Sequence, residues 1–178
     1  MVVGALGLAL LGLVAPRSAH AEACTGLPAS TTLTTVEFAR TSVRVEPGRS
    51  IGPIAVGMTR RQIARVAGAP LSRDRSGQRR YRVHGLPVVV GFGYRGRART
   101  LQAYSGRLVV AGVRMAAGAG ALKAALPGLQ VSDCGAAWTE GFLPTGSPLG
   151  ARQTGFAWNP SPRLPSVTIV DHAMRRAG

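Results

Sequence analysis

Between Arg79 and Tyr94 apolar and polar residues alternate with a period of two. Tyr81 and Val83 point one way, and Arg80, Arg82 and His84 the other. After Gly85-Leu86-Pro87, the residues Val88, Val90, Phe92 and Tyr94 interleave with Val89, Gly91 and Gly93. That period is the signature of strands with one buried face. A turn at Arg95-Gly96-Arg97 leads to a third strand, about Ala98 to Ser105, giving an antiparallel meander. The glycines on one face of the middle strand predict a close neighbour there, with the preceding helix as the candidate.

That helix is announced by its punctuation. Ile51, Ile54 and Val56 are strand-like, with Gly52-Pro53 interrupting them. Thr59 and Gln62 have the spacing of a capping box, in which each side chain accepts from the other residue's backbone N–H. Met58 before the cap and Ile63 within the helix are spaced as a hydrophobic staple. Ile63, Val66 and Ala67 are expected on one face, Gly68 in the left-handed C-terminal position, and Pro70 as the stop. Arg60 and Arg61 occupy the first turn, where the helix dipole disfavours cations. Plain solvation accounts for them, and so does membership of an anion-binding face.

A second copy of the layout is visible 59 residues on, where Val113-x-Met115-Ala116 aligns with Ile54-x-Val56-Gly57, Leu122 with Ile63 and Ala125 with Val66. Gly155-Phe156-Ala157-Trp158 aligns with Gly91-Phe92-Gly93-Tyr94 at an offset of 64, the extra residues falling in a loop-rich span from Asp133 to Gly150. Val167 to Val170 read as a final strand. The expected fold is therefore α+β: two degenerate repeats of a short helix packed on an antiparallel β-meander. The expected division is 1–21 signal peptide, 22–50 N-terminal arm or edge strand, 51–108 first repeat, and 109–178 second repeat with a longer loop.

The pattern Ile54-x-Val56-Gly57-Met58-Thr59-x-x-Gln62-Ile63-x-x-Val66-x-Gly68-x-Pro70 resembles the motif of SmpA/OmlA-type small envelope proteins and of the two-repeat β-lactamase-inhibitor-like proteins. The resemblance implies a short helical element on an antiparallel sheet. It implies a role either as a lipid-anchored accessory in outer-membrane assembly or as an inhibitor whose aromatic-lined sheet face grips an enzyme. Ala21-Glu22-Ala23 before Cys24 is not a lipobox, and nine aromatics in the whole chain are few for such a grip.

The chain's beginning sets the expected compartment. MVVGALGLALLGLVAPRSAHA reads as a secretory signal, with an apolar core too short to cross a bilayer and an Ala19-His20-Ala21 cleavage site. Secretion makes a Cys24–Cys134 disulfide the default for the two cysteines, closing a loop of about 110 residues; two unrelated thiols are the alternative.

Charge changes the picture most. The formal net charge is +15, from 22 Lys+Arg against 7 Asp+Glu, and Lys123 is the only lysine. Between Arg73 and Arg107 stand nine arginines and one acid, Asp74. Such a surface adheres to anions, and arginine meets carboxylate or phosphate with a two-pronged fork. Arg80, Arg82, Arg95, Arg97 and Arg99 are the candidate interaction surface, with Trp138 as an anchor for a protein partner.

Chemistry is not signalled. No nucleophile elbow, phosphate loop, dinucleotide fingerprint or metal-ligand spacing occurs in the sequence. His84, Asp171 and a serine would be the hydrolase alternative if they met in space. The expectation is a secreted non-catalytic binding or structural protein of the envelope, without cofactor. Its partner is an extracytoplasmic protein or an anionic envelope polymer, and nucleic acid is disfavoured. Cationic adhesion and enzyme inhibition are the alternatives.

Overall fold

The computed structural model describes residues 41–133, 139–145, 152–158 and 165–172. The first three strands are β1 (Val43–Glu46), β2 (Ser50–Ile51) and β3 (Ile54–Ala55), followed by helix α1 (Arg60–Ala67). Next come β4 (Ser72–Arg73), β5 (Arg79–Val83), β6 (Leu86–Phe92), β7 (Ala98–Tyr104), β8 (Leu108–Val110) and β9 (Val113–Arg114). Helix α2 (Gly118–Ala125) leads to β10 (Gln130–Asp133), β11 (Thr139–Thr145), β12 (Arg152–Trp158) and β13 (Ser166–Asp171).

The expected α+β architecture of two helix-on-meander repeats is overturned. The protein is mostly β, built from two large sheets. One sheet has five strands in the order β3-β2-β1-β8-β9; the other has eight, β10-β11-β12-β13-β7-β6-β5-β4. All pairings of the eight-stranded sheet are antiparallel, whereas β1 and β8 of the smaller sheet run parallel. The later strands β10–β13 pair in sequence order, as β4–β7 do, but β13 also pairs along β7 and fuses both groups into one eight-stranded sheet. Period-two patterning reports which residues face inward, not which strand lies alongside. The helices are too small to cover such a sheet: each is eight residues long and fully buries one side chain, Ile63 in α1 and Leu122 in α2.

A second sheet supplies the cover instead. Val43, Val45, Ile51, Ile54, Leu108 and Val110 come from the five-stranded sheet and join Tyr81, Val83, Val88, Val90, Leu101, Ala103, Phe156, Val167 and Ile169 of the larger one in a single core. The sheets approach so closely at the β2–β3 turn that a Cβ on Gly52 would lie 2.7 Å from Val83 Cγ1. Backbone and side chain also cross between them, as the Gly48 N–H donates to Thr154 Oγ1 at 2.6 Å.

The start of α1 carries the capping box its spacing predicts. Thr59 is its N-cap, accepting from the Gln62 N–H while Gln62 Oε1 accepts from the Thr59 N–H at 2.8 Å. Ile63 is buried and Met58 packs against the core. Gly68 closes the helix at φ 76° and ψ −167°, a conformation reserved for glycine but not the left-handed helical one expected. Val66 departs from the predicted face and is 46% exposed, because a two-turn helix touches the core along a narrow stripe. The close neighbour of the β6 glycines is not the helix. A Cβ on Gly91 would meet Thr100 at 3.3 Å and one on Gly93 would meet Arg99 at 3.2 Å, both on β7. The register shifts there, with Phe92 opposite Ala98, and Arg99 occupies the bulge.

Candidate anion-binding surface

Registers across the larger sheet separate its two faces. The inward row runs Tyr81, Val88, Ala103, Val167, Phe156, Gly141. The outward row beside it runs Arg80, Val89, Gln102, Thr168, Gly155, Phe142, Gln130. A second outward row carries Arg82, Pro87 and, on the same alternation, Tyr104, Ser166, Ala157 and Glu140. Burial pushes the Tyr104 phenol up, and a hydrogen bond from Gln102 works against that shift.

Charge is polarised along this sheet. From Arg60 to Arg99, the stretch forming α1, β4, β5, β6 and the start of β7, there are eleven arginines and one acid. Among the described residues from Val113 to His172, the stretch carrying α2 and β10–β13, Arg114, Lys123 and Arg152 stand against Asp133, Glu140 and Asp171. Formal charge is thus +10 at one end and zero at the other. The lone acid of the basic half is engaged by its own turn: Asp74 Oδ1 accepts from Ser76 Oγ at 2.7 Å and from the Gln78 N–H at 2.8 Å. The Ser76 hydroxyl foremost holds its carboxyl below the ordinary value.

The predicted arginines do not form one cluster. Arg80 and Arg82 stand on the outward face of β5. Arg99 turns toward the end of β13, where its Nε–H donates to the Asp171 carbonyl at 3.3 Å. Arg95 and Arg97 lie in the β6–β7 turn, which the structure places against the start of α1. Thr59 bridges Arg97, Gly57 N–H donates to Ala98 C=O, and Arg97 Nη1–H donates to Gly57 C=O at 2.9 Å. Arg60 joins them, its guanidinium 5.0 Å above the Phe92 ring, and Arg95 lies 5.1 Å above the Tyr94 ring. Tyr94, which the alternation places in the strand, instead opens a 3-10 turn and is 52% exposed. Trp138, Cys24 and Cys134 lie outside the described residues, and so do the 1–21 signal segment and most of the arm at 22–50.

Hydrolase geometry is not assembled by the residues considered for it. Asp171 pairs with Arg152 at one end of β13, with a 3.1 Å bond to Arg152 Nε, while His172 meets Gln153. His84 sits in the β5–β6 turn, beyond Arg82 and Pro87 at the opposite end of the strands. Among the described residues no group of three or more His, Cys, Asp or Glu side chains could hold a metal ion. No helix among them is long and apolar enough to cross a membrane.

Sequence reasoning missed Glu140, which lies in the span read as loop but belongs to β11. It is 1% exposed, and neither carboxylate oxygen has a hydrogen-bond partner. Desolvation pushes its pKa up from the ordinary 4.5. The folded state therefore holds this proton more tightly than the unfolded chain, and stability falls as pH rises from about 4.5 toward the raised value. Glu140→Gln, which keeps the shape without the charge, is expected to exceed wild type in stability at pH 7 by about 1–3 kcal/mol, the extra desolvation cost of a charged over a neutral buried group. That advantage should shrink toward zero near pH 4. Urea melts of both proteins across this range measure it; an advantage independent of pH would refute the assignment.

Compared with known proteins, the chain matches no protein-family model, no curated protein and no solved structure.

Proposed function

We propose that this is a non-catalytic, secreted binding protein of the cell envelope that holds an anionic polymer against the β4–β7 half of its larger sheet. The observation that carries the reading is the charge polarity: eleven arginines against one self-engaged acid at one end of the sheet, near neutrality at the other. A uniformly basic protein would adhere in any orientation, whereas a polarised one orients its partner. The near absence of lysine adds fork-shaped donors suited to oxyanions. The extracytoplasmic setting rests on residues 1–21, and the resemblance of the Ile54–Pro70 segment to small envelope proteins agrees with it.

The test pairs two charge reversals of equal size. Arg80→Glu/Arg82→Glu is expected to weaken binding to purified anionic wall polymer by about tenfold or more. Arg114→Glu/Lys123→Glu, at the other end, should weaken it by no more than about threefold. Affinity should also fall steeply between 50 and 200 mM salt, as counterion release requires. Equal losses from the two pairs, or salt-independent binding, would overturn the proposal.

A further inference from the structure

The corner where α1 begins and the β6–β7 turn folds back holds three guanidiniums in three different, already ordered settings. Arg60 lies over Phe92, and its Nε is 4.0 Å from the position a Gly96 Cβ would take. Arg95 lies over Tyr94, in a left-handed backbone conformation at φ 56°. Arg97 is tethered through one nitrogen to the Gly57 carbonyl. A guanidinium's N–H donors lie around the rim of its own plane, so one held over a ring keeps donors free for oxyanions. Ordering by ring or carbonyl also removes much of the rotamer freedom a free arginine would lose on binding.

No acid competes for these donors locally. The first turn of α1 contains none, and the sequence from Pro47 to Ser132 holds only Asp74, which closes the β4–β5 turn. The helix end itself is not the site. Its capping box already satisfies the Thr59 and Gln62 amides, so recognition falls to side chains.

The same geometry suits an oxyanion. The guanidinium fork takes phosphate as well as carboxylate, and an envelope phosphodiester polymer presents one such group at every repeat. Nucleic acid is disfavoured for a separate reason. Single strands are gripped by stacking successive bases on several open aromatic faces, and of the two rings here only Tyr94 is exposed, with an arginine over it.

We infer that Arg60, Arg95 and Arg97, supported by Phe92 and Tyr94, form a binding site for the phosphodiester groups of a base-free envelope polymer such as poly(glycerol phosphate). This rests on the anionic-polymer reading above and adds to it the place and chemistry of recognition.

The experiment measures binding of the full chain to poly(glycerol phosphate), single-stranded DNA and poly-L-glutamate at 100 mM salt. Wild type should bind poly(glycerol phosphate) most tightly. Arg60→Ala/Arg95→Ala/Arg97→Ala should lose about 100-fold. The charge-matched control Arg44→Ala/Arg49→Ala/Arg114→Ala, outside the β4–β7 half, should lose only about threefold. Arg60→Lys/Arg95→Lys/Arg97→Lys keeps the charge and should still lose about tenfold, because the fork is gone. Equal losses from the corner and control triples, full binding by the lysine triple, or preference for DNA or polyglutamate would each overturn this site. Failure of wild type to bind any of the three polymers would instead overturn the function proposed above. Circular dichroism melts of the corner triple keep the comparison fair, since Arg97 also tethers Gly57. If that variant is unfolded, Arg60→Lys/Arg95→Lys alone decides the matter, with unchanged affinity refuting the site.

Discussion

Phe156→Ala should destabilise the protein by about 3–5 kcal/mol, a large part of the stability of a domain this size. Phe156 is 2% exposed on the inward row of β12, between Gly141 of β11 and Val167 of β13. It stacks on Trp158 with ring centroids 6.1 Å apart, and the Trp158 indole N–H donates to the Met115 carbonyl at 3.0 Å. Truncation would leave a ring-sized hole beneath a tryptophan that is fixed at its other end. Because the site cannot collapse, the cavity cost should be near the top of the usual range. Phe142→Ala is the control. That ring sits one strand away on the outward face, where a Cβ on Gly155 would meet it at 3.6 Å, and its loss should cost about 1 kcal/mol or less. Denaturant titration of both variants measures the difference, and similar losses would show the two faces to have been assigned wrongly.

Gly52→Ala is expected to cost about 2–4 kcal/mol for a different reason. Gly52 has φ 56°, a conformation that an alanine adopts with about 1–2 kcal/mol of penalty. The new methyl would also fall 2.7 Å from Val83 Cγ1 and 3.4 Å from Val43 Cγ1, forcing the sheets apart or a valine off its rotamer. Adding Val83→Ala should remove the clash but not the backbone strain. The double variant should then be less destabilised than the sum of the two single ones, a coupling that a mutant cycle reads directly. Strict additivity would mean that the two sheets do not meet at this point.

These contrasts bear on what could be read from the chain. The start and end of α1 were legible because capping is a short-range code: Thr59, Gln62 and Gly68 act within one turn of themselves. The inward faces of β5 and β6 were legible because Tyr81, Val83, Val88 and Val90 alternate over enough residues to show a period. The five-stranded sheet was not. Three of its members, β2, β3 and β9, are two residues long, and a two-residue strand has no period to detect. β11 was hidden by Gly141 and Pro144, which read as loop but sit in a paired strand. The basic corner was half visible. Arg95 and Arg97 stood out by composition, and Arg60 by its position against the helix dipole, but nothing in their spacing announced that the β6–β7 turn returns to α1.

Strand order carries one more consequence. β13, the last strand described, does not lie at a border of the larger sheet but between β12 and β7. During synthesis, β7 must wait some sixty residues for its neighbour, its row of unpaired amides and carbonyls meanwhile open to any passing strand. The parallel β1–β8 contact is likewise made across more than sixty residues. A chain wired this way closes slowly, since distant segments must find each other before their burial rewards the search. The larger sheet can close only once β13 exists, so its two groups of strands are joined last.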